Sequence, residues 1–307
     1  MSTLEIAKDL FFIERGYLSG NHFAYRAEEP VLIDTGYRSE FAETARRLDD
    51  LGVDLSKVGL IVNTHCHGDH IGGNKIIQEL SGCDTALHKI GKHFIETKDS
   101  WATWWKYYGK EADFFTCTRT LEDGDTLQVG PHEFQVIHAP GHASDGIVLY
   151  NRKERILISS DVLWENNMAV LTMRIEGNGA LFSVRESLEK LEALDVEVVY
   201  PGHGKPFTTF RGAIRMSKKR LDTYLQDRDQ IGTDLLKKMM VFNLLMNGAV
   251  EEEGYFTYLM RMHWFRETVD LYFGGEYGAK YDEIVNYLVR RDILRRKDNK
   301  IFTTVKK

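Results

Sequence analysis

Thr64-His65-Cys66-His67-Gly68-Asp69-His70-Ile71-Gly72-Gly73 is the stretch that decides how this chain is read. Four side chains able to hold a metal through nitrogen or oxygen fall within six residues, in a chain with only 11 histidines. His65 and His67, two apart on an extended segment, project to the same side. Asp69 and His70 come where the chain turns into a helix and can face a second ion beside the first. Gly68, Gly72 and Gly73 give the tight backbone and close approach that such a turn needs. Cys66 lies between two ligand positions and is expected to point away from them and pack.

The flanks place this cluster at the end of a strand. KVGLIVNTH reads as a buried strand, a helix is predicted from Gly73 to Leu80, and the strand DTALH follows. Upstream, DLFFIE, NHFAYRA and PVLIDTG are apolar runs bounded by Gly, Asn and Pro, the pattern of short strands broken by turns. SEFAETARRLDDLG is an amphipathic helix with Phe41, Thr44, Leu48 and Leu51 on one face and Gly52 at its end. Downstream come the strands FQVIHA, GIVLY and RILISSD, a helix SVRESLEKLEAL opened by a Ser183/Glu186 capping box, and the strand VEVVYPGH. Three more ligand-type residues fall where these strands end: His142 after Pro140-Gly141, Asp161 closing RILISSD, and His203 in Pro201-Gly202-His203-Gly204. Strand ends are where an α/β scaffold leaves loops free to carry chemistry. Five imidazoles and two carboxylates make a shell suited to two divalent ions, with Zn2+ favoured and iron or manganese also accommodated.

THCHGDHIGG, APGHASD, SSD and PGHG, in this order, resemble the metallo-β-lactamase superfamily over residues 5–210. The resemblance implies an α/β chain folded as an αββα sandwich, the metallo-β-lactamase fold. Position by position it implies His65, His67 and His142 on one metal and Asp69, His70 and His203 on the other. Asp161 would bridge the two, and Asp34 of LIDTG would support the site from behind. The implied activity is binuclear metal-dependent hydrolysis, with a hydroxide held between the ions as nucleophile and Asp69 orienting it or carrying its proton. Two departures narrow the branch. Flavodiiron proteins have a glutamate where His67 stands, and the β-lactamases with a cysteine ligand have it where Asp161 stands. Neither electron-transfer iron chemistry nor a dedicated antibiotic-destroying enzyme is therefore expected. A small-molecule substrate with an ester-like bond is the leading expectation, either a thioester, as in glyoxalase II relatives, or a lactone. The competing expectation is a nuclease or phosphodiesterase acting on RNA or another phosphodiester.

Composition sets outer bounds. With 307 residues, 43% hydrophobic and 28% charged, the chain can bury a sizeable core. No stretch reaches the roughly 18 uncharged apolar residues of a membrane span, and the first residues read as lacking a secretion signal. Three cysteines suit a reducing compartment better than a disulfide framework, so a cytoplasmic hydrolase is expected. Residues 211–307 hold 19 Lys and Arg against 14 Asp and Glu, although the whole chain has a net charge of −6. They read as a mainly helical module beside a catalytic domain at 1–210. The module ends on a helix KYDEIVNYLVR, a strand ILRRK, a turn at Asp298-Asn299 and a strand KIFTTV, which is a winged-helix-like pattern. The basic run Arg290, Arg291, Arg295, Arg296, Lys297 is what a nuclease reading draws on. The overall negative charge and the lack of aromatic–basic interleaving weigh against nucleic acid.

Two apolar patterns bear on the substrate. Trp101, Trp104, Trp105 and Tyr108, at i, i+3, i+4 and i+7, predict one face of a helix, read as a pocket wall for an acyl group or as core or a homodimer contact. Met168 and Met173, in the segment after Asp161, are the other candidate substrate contacts. Further on, Tyr255, Tyr258, Leu259, Met262, Phe265 and Val269 predict an apolar helical face that the core or a second subunit must cover.

Overall fold

Successive strand residues point to opposite faces, so a strand that is apolar at every position asks to be covered on both sides. Strands such as LFFI, LIV and IVLY read that way, and the fold answers with four layers. The computed structural model describes residues 2–108 and 113–306. Its first sheet runs in chain order through β1 (Thr3–Ala7), β2 (Leu10–Ile13), β3 (His22–Tyr25), β4 (Val31–Ile33), β5 (Leu60–Val62), β6 (Asp84–His88) and β7 (Arg119–Leu121). The pairing is antiparallel up to β4 and parallel from β4 onward. The second sheet comprises β8 (Thr126–Val129), β9 (His132–His138), β10 (Ile147–Asn151), β11 (Ile156–Ser160) and β12 (Val198–Pro201), with β12 parallel to β11.

Phe12, Ile33, Val62, Phe134, Leu149 and Ile158 meet between the sheets, while their neighbours Ile13, Leu32, Ile61, Val148 and Leu157 face outward. On the first sheet the outward set is covered by Leu48 of α1 (Phe41–Asp50) and Ile77, which follows the single turn α2 (Gly68–Ile71) in α3 (Asn74–Ser81). Next come α4 (Lys89–Glu96), the single turn α5 (Trp105–Tyr108) and α6 (Met173–Glu176). The second sheet is covered by Val184, Leu188 and Leu191 of α7 (Ala180–Glu192) and by Phe210, Ile214 and Leu221 of α8 (Phe210–Gln226). Each fully buried aliphatic or Phe side chain contributes about 1.5–3 kcal/mol over its exposed state. The result is the expected αββα sandwich.

Two boundaries differ from the sequence reading. β1 pairs with β2 ahead of the first expected strand. Helix α7 begins at Ala180, so Ser183 lies inside the first turn and its amide bonds Gly179 O; the expected capping box is absent. The apolar face predicted over Tyr255–Val269 belongs to two helices, α10 (Glu252–Leu259) and α11 (His263–Phe273), which follow α9 (Asp229–Asn247) and β13 (Val250–Glu251). The chain itself covers that face: Tyr255, Leu259, Phe265 and Val269 are buried with Met240 of α9, with Ile284 of α12 (Tyr277–Arg290), and with Tyr107 of α5. The chain ends on β14 (Leu294–Lys297) and β15 (Lys300–Thr303), joined by Asp298-Asn299, both at positive φ as a two-residue hairpin turn requires. With β13 they form a small sheet after α12, the winged-helix-like ending. No helix among the described residues is long and apolar enough to cross a membrane.

Candidate metal centre

The ligand-type residues all lie just past strand ends on one rim of the sandwich. His65 and His67 follow β5, and Asp69 and His70 sit in α2. His142 lies between β9 and β10, Asp161 follows β11, and His203 follows β12. His65, His67 and His142 form one group, Asp69, His70 and His203 a second, and His65, His70 and Asp161 a third. Within each group the ligand atoms lie within 4.8 Å of one another. His67 Nδ1 is 3.0 Å from His142 Nε2, and His203 Nε2 is 3.2 Å from Asp69 Oδ2. Asp161 Oδ2 faces both sides, 3.4 Å from His142 Nε2 and 3.7 Å from the Nε2 atoms of His70 and His203. Six of the seven residues are buried, and Asp69 keeps 17% of its side chain open.

The imidazoles are aimed from behind. His70 Nδ1 lies 2.9 Å from Asp34 Oδ2, His142 Nδ1 donates to Val170 O at 2.7 Å, and His203 Nδ1 to Gly16 O at 3.1 Å. Each bond turns the other ring nitrogen toward the centre. Asp34 also accepts from the Thr64 amide and hydroxyl at 2.8 and 2.7 Å, which ties the β4 end to the β5 end. Close backbone approach is needed here too. A side chain on Gly202 would fall on Asp161 Oδ1, and one on Gly72 on the Arg38 amide.

Charge and burial compete within the cluster. Burial and the neighbouring imidazoles hold His65 and His67 well below the ordinary histidine pKa. Burial also opposes charge on His70, but Asp34, Asp161 and Asp69 outweigh it and raise that pKa well above the usual value. Asp161 is held well below the carboxylate range, because His203, His70 and His142 overcome the cost of its burial. The Nε2 atoms of His65, His67 and His70 are buried without any hydrogen-bond partner. Native proteins rarely leave such groups unsatisfied. Unpartnered imidazole nitrogens converging with the carboxylates of Asp69 and Asp161 fit divalent cations.

The comparisons agree with this geometry. The family model of the metallo-beta-lactamase superfamily matches residues 19–203. This chain belongs to the metallo-β-lactamase superfamily. Its relatives include the "Probable metallo-hydrolase YqjP" of Bacillus subtilis (strain 168), 26% identical over 76% of this chain and 83% of that protein. The acyl-coenzyme A thioesterase MBLAC2 of Homo sapiens is 28% identical over 70% of this chain and 86% of its own. A metallo-beta-lactamase family protein of Thermus thermophilus shares the fold, with a TM-score of 0.60 at 21% identity, over 97% of this chain and 100% of that one. The shared fold thus extends through the C-terminal helices.

In this superfamily member the rim opens on a cavity of about 1100 Å³. The three tryptophans do not share a helical face: Trp104 has φ +63° and only Trp105–Tyr108 is helical. Left-handed backbone at Trp104 sends the rings three ways. Trp104 stacks on His67, with centroids 3.8 Å apart and planes 25° apart, and lines the cavity. Trp105 packs with Cys66, Ile71 and Leu87 and reaches the cavity beside Gly68. Trp101 packs on His263 of α11 at 5.3 Å. Met168 and Met173 lie in the cluster beneath α7 and are not among the cavity-lining residues. Cys66 is fully buried, and burial raises its thiol pKa well above the ordinary value. The sequence reading missed Trp164, whose Nε1 donates to Asp161 Oδ1 at 3.2 Å, and Tyr17, stacked 6.4 Å from His203. Trp164 stands three residues after Asp161, a weak signal. Tyr17 carries none.

Proposed function

We propose that this chain hydrolyses the thioester bond of a small acyl substrate with two divalent ions, zinc by preference. The carrying observation is a complete set of imidazole and carboxylate ligands at the floor of a large cavity whose adjoining wall is aromatic. Trp104 lies on His67, Tyr108 5.1 Å from Trp104, and Phe242 of α9 5.6 Å from Tyr108. Such a wall suits an acyl group better than a sugar–phosphate chain, and a relative named as an acyl-coenzyme A thioesterase points the same way.

His65, His67 and His142 would hold one ion and Asp69, His70 and His203 the other, with Asp161 a carboxylate within reach of both groups. Bound there, the ions supply a water acidic enough to ionise near neutral pH and polarise the substrate carbonyl. Asp69, the most open carboxylate of the set, takes the proton of the attacking water and returns it to the departing sulfur. The water oxygen joins the carbonyl carbon, the C–S bond breaks, and a carboxylic acid and a thiol leave. Trp104 and Tyr108 exclude bulk water from the acyl side. Cys66 takes no part, since it is buried and held as the thiol. In this reading residues 1–210 carry the reaction, and helices within residues 211–307 join Trp104 and Tyr108 in the wall that selects the substrate.

The test is a turnover panel with zinc-loaded protein on an acyl thioester, a lactone, a phosphodiester and single-stranded RNA. The thioester should be turned over with the highest kcat/KM. Faster cleavage of the phosphodiester or the RNA would replace this reading with the nuclease one.

A further inference from the structure

Helix α9 lines the cavity from Gln230 to Leu245, about 22 Å at 1.5 Å per residue. Its inner face changes character along that length. Thr233, Asp234, Lys237 and Lys238 come first, and Val241, Phe242 and Leu245 continue the same face. The apolar half adjoins the His67 side of the centre through Phe242, Tyr108 and Trp104. The cationic half adjoins the segment that follows Asp161. There Lys238 Nζ donates to Met168 O at 2.6 Å, and Arg220 Nη1 of α8 donates to Asn167 Oδ1 at 2.9 Å. Each end of the wall is therefore tied to a different side of the metal centre.

On the cationic half, Lys219, Arg220, Lys237 and Lys238 face a single carboxylate, Asp234. Asp234 is engaged by Lys238 and, at 3.5 Å, by Arg220. Lys219 has no ionic partner among the described residues, and Lys237 lies over the Tyr287 ring at 3.7 Å, likewise without one. Four cations against one carboxylate in the wall of a cavity lack their counter-charge, and such a field concentrates anions. A single carboxylate on the ligand would leave most of that excess unbalanced, whereas phosphate groups would balance it.

We propose that the α8–α9 cations bind the phosphate groups of the thiol leaving group while the acyl chain lies along Val241, Phe242 and Leu245. This rests on the thioester reading above. The substrate would then be an amphiphile laid along α9 with its thioester over the metals, apolar on one side and polyanionic on the other.

The test compares an acyl-coenzyme A with the same acyl group on N-acetylcysteamine, which keeps the thioester and lacks the phosphates, and on glutathione, which carries carboxylates only. Binding of adenosine 3′,5′-bisphosphate to the zinc-loaded full chain is measured beside it by calorimetry. The coenzyme A ester should have the highest kcat/KM of the three. In Lys219→Gln/Lys237→Gln, its advantage and the nucleotide affinity should both fall by about tenfold or more, the loss expected for one charge-assisted hydrogen bond. Both should recover in Lys219→Arg/Lys237→Arg, and both should weaken with added salt. Equal kcat/KM for the three esters with no nucleotide binding, or a preference for the glutathione ester, overturns the phosphate site. Lysine-dependent nucleotide binding with none of the esters hydrolysed keeps the phosphate site and overturns the reaction.

Discussion

The floor and the wall of the cavity are built on different principles. The floor is seven residues at strand ends, three of its five imidazoles aimed by short bonds to backbone or to Asp34, and one short stretch of sequence carries most of it. The wall is a helical surface spread over α5, α8 and α9, where every contact depends on how distant helices pack. Chemistry that needs fixed distances is anchored to a rigid scaffold. Selectivity, which needs surface, is assigned to elements that can vary without disturbing the ions.

If that division is right, damage to the floor should be severe and blind to substrate. Asp161→Ala should lose at least one bound ion by elemental analysis and lower kcat/KM by about a thousandfold or more for every ester, since several kcal/mol of charge stabilisation go with the metal. Retention of two ions and ordinary activity would show that Asp161 is not part of the metal-holding floor. Removal of the wall tests the other side. A 1–212 fragment ends inside α8 and strips Ile214, Leu221 and Tyr224 from the cover of the second sheet. Light scattering should show it aggregated, and its activity should be lost; a monodisperse, fully active fragment would make the helices a separate appendage.

Smaller changes sharpen the boundary between the two. Trp164→Phe removes the donor to Asp161 Oδ1 and should weaken metal binding by about ten- to a hundredfold, the usual scale for a group that orients a ligand. Unchanged zinc affinity by competition with a chelator would reduce Trp164 to packing. Trp104→Ala should shift the kcat/KM ratio between long and short acyl thioesters by about tenfold while metal content stays constant. Lost stability with an unchanged ratio would make Trp104 core, at a cost of about 3–5 kcal/mol in thermal melts.

The same division explains what can be read from the sequence. His65, His67, Asp69 and His70 are legible because four ligand-type side chains crowd into six residues, and the strand before them because it is an unbroken apolar run. The tryptophan pattern misleads because helical spacing describes a face only if the backbone stays helical, and Trp104 leaves it. Met168 and Met173 follow Asp161 in sequence, but their side chains pack under α7, where Met168 lines only a small space beside His142 and Asp161 and neither reaches the main cavity. The α8–α9 cations are visible only as an excess of charge, since a sequence does not say which lysines share a cavity.

A thioesterase built on this ligand set should need its metals for every turnover, and a zinc titration of metal-free protein measures that dependence. Thiol release from an acyl thioester and bound zinc are followed in the same samples. Release should be negligible without metal, rise with occupancy, and level off at two ions per chain. Full occupancy at two ions with no thiol released from any acyl thioester would contradict the thioesterase reading.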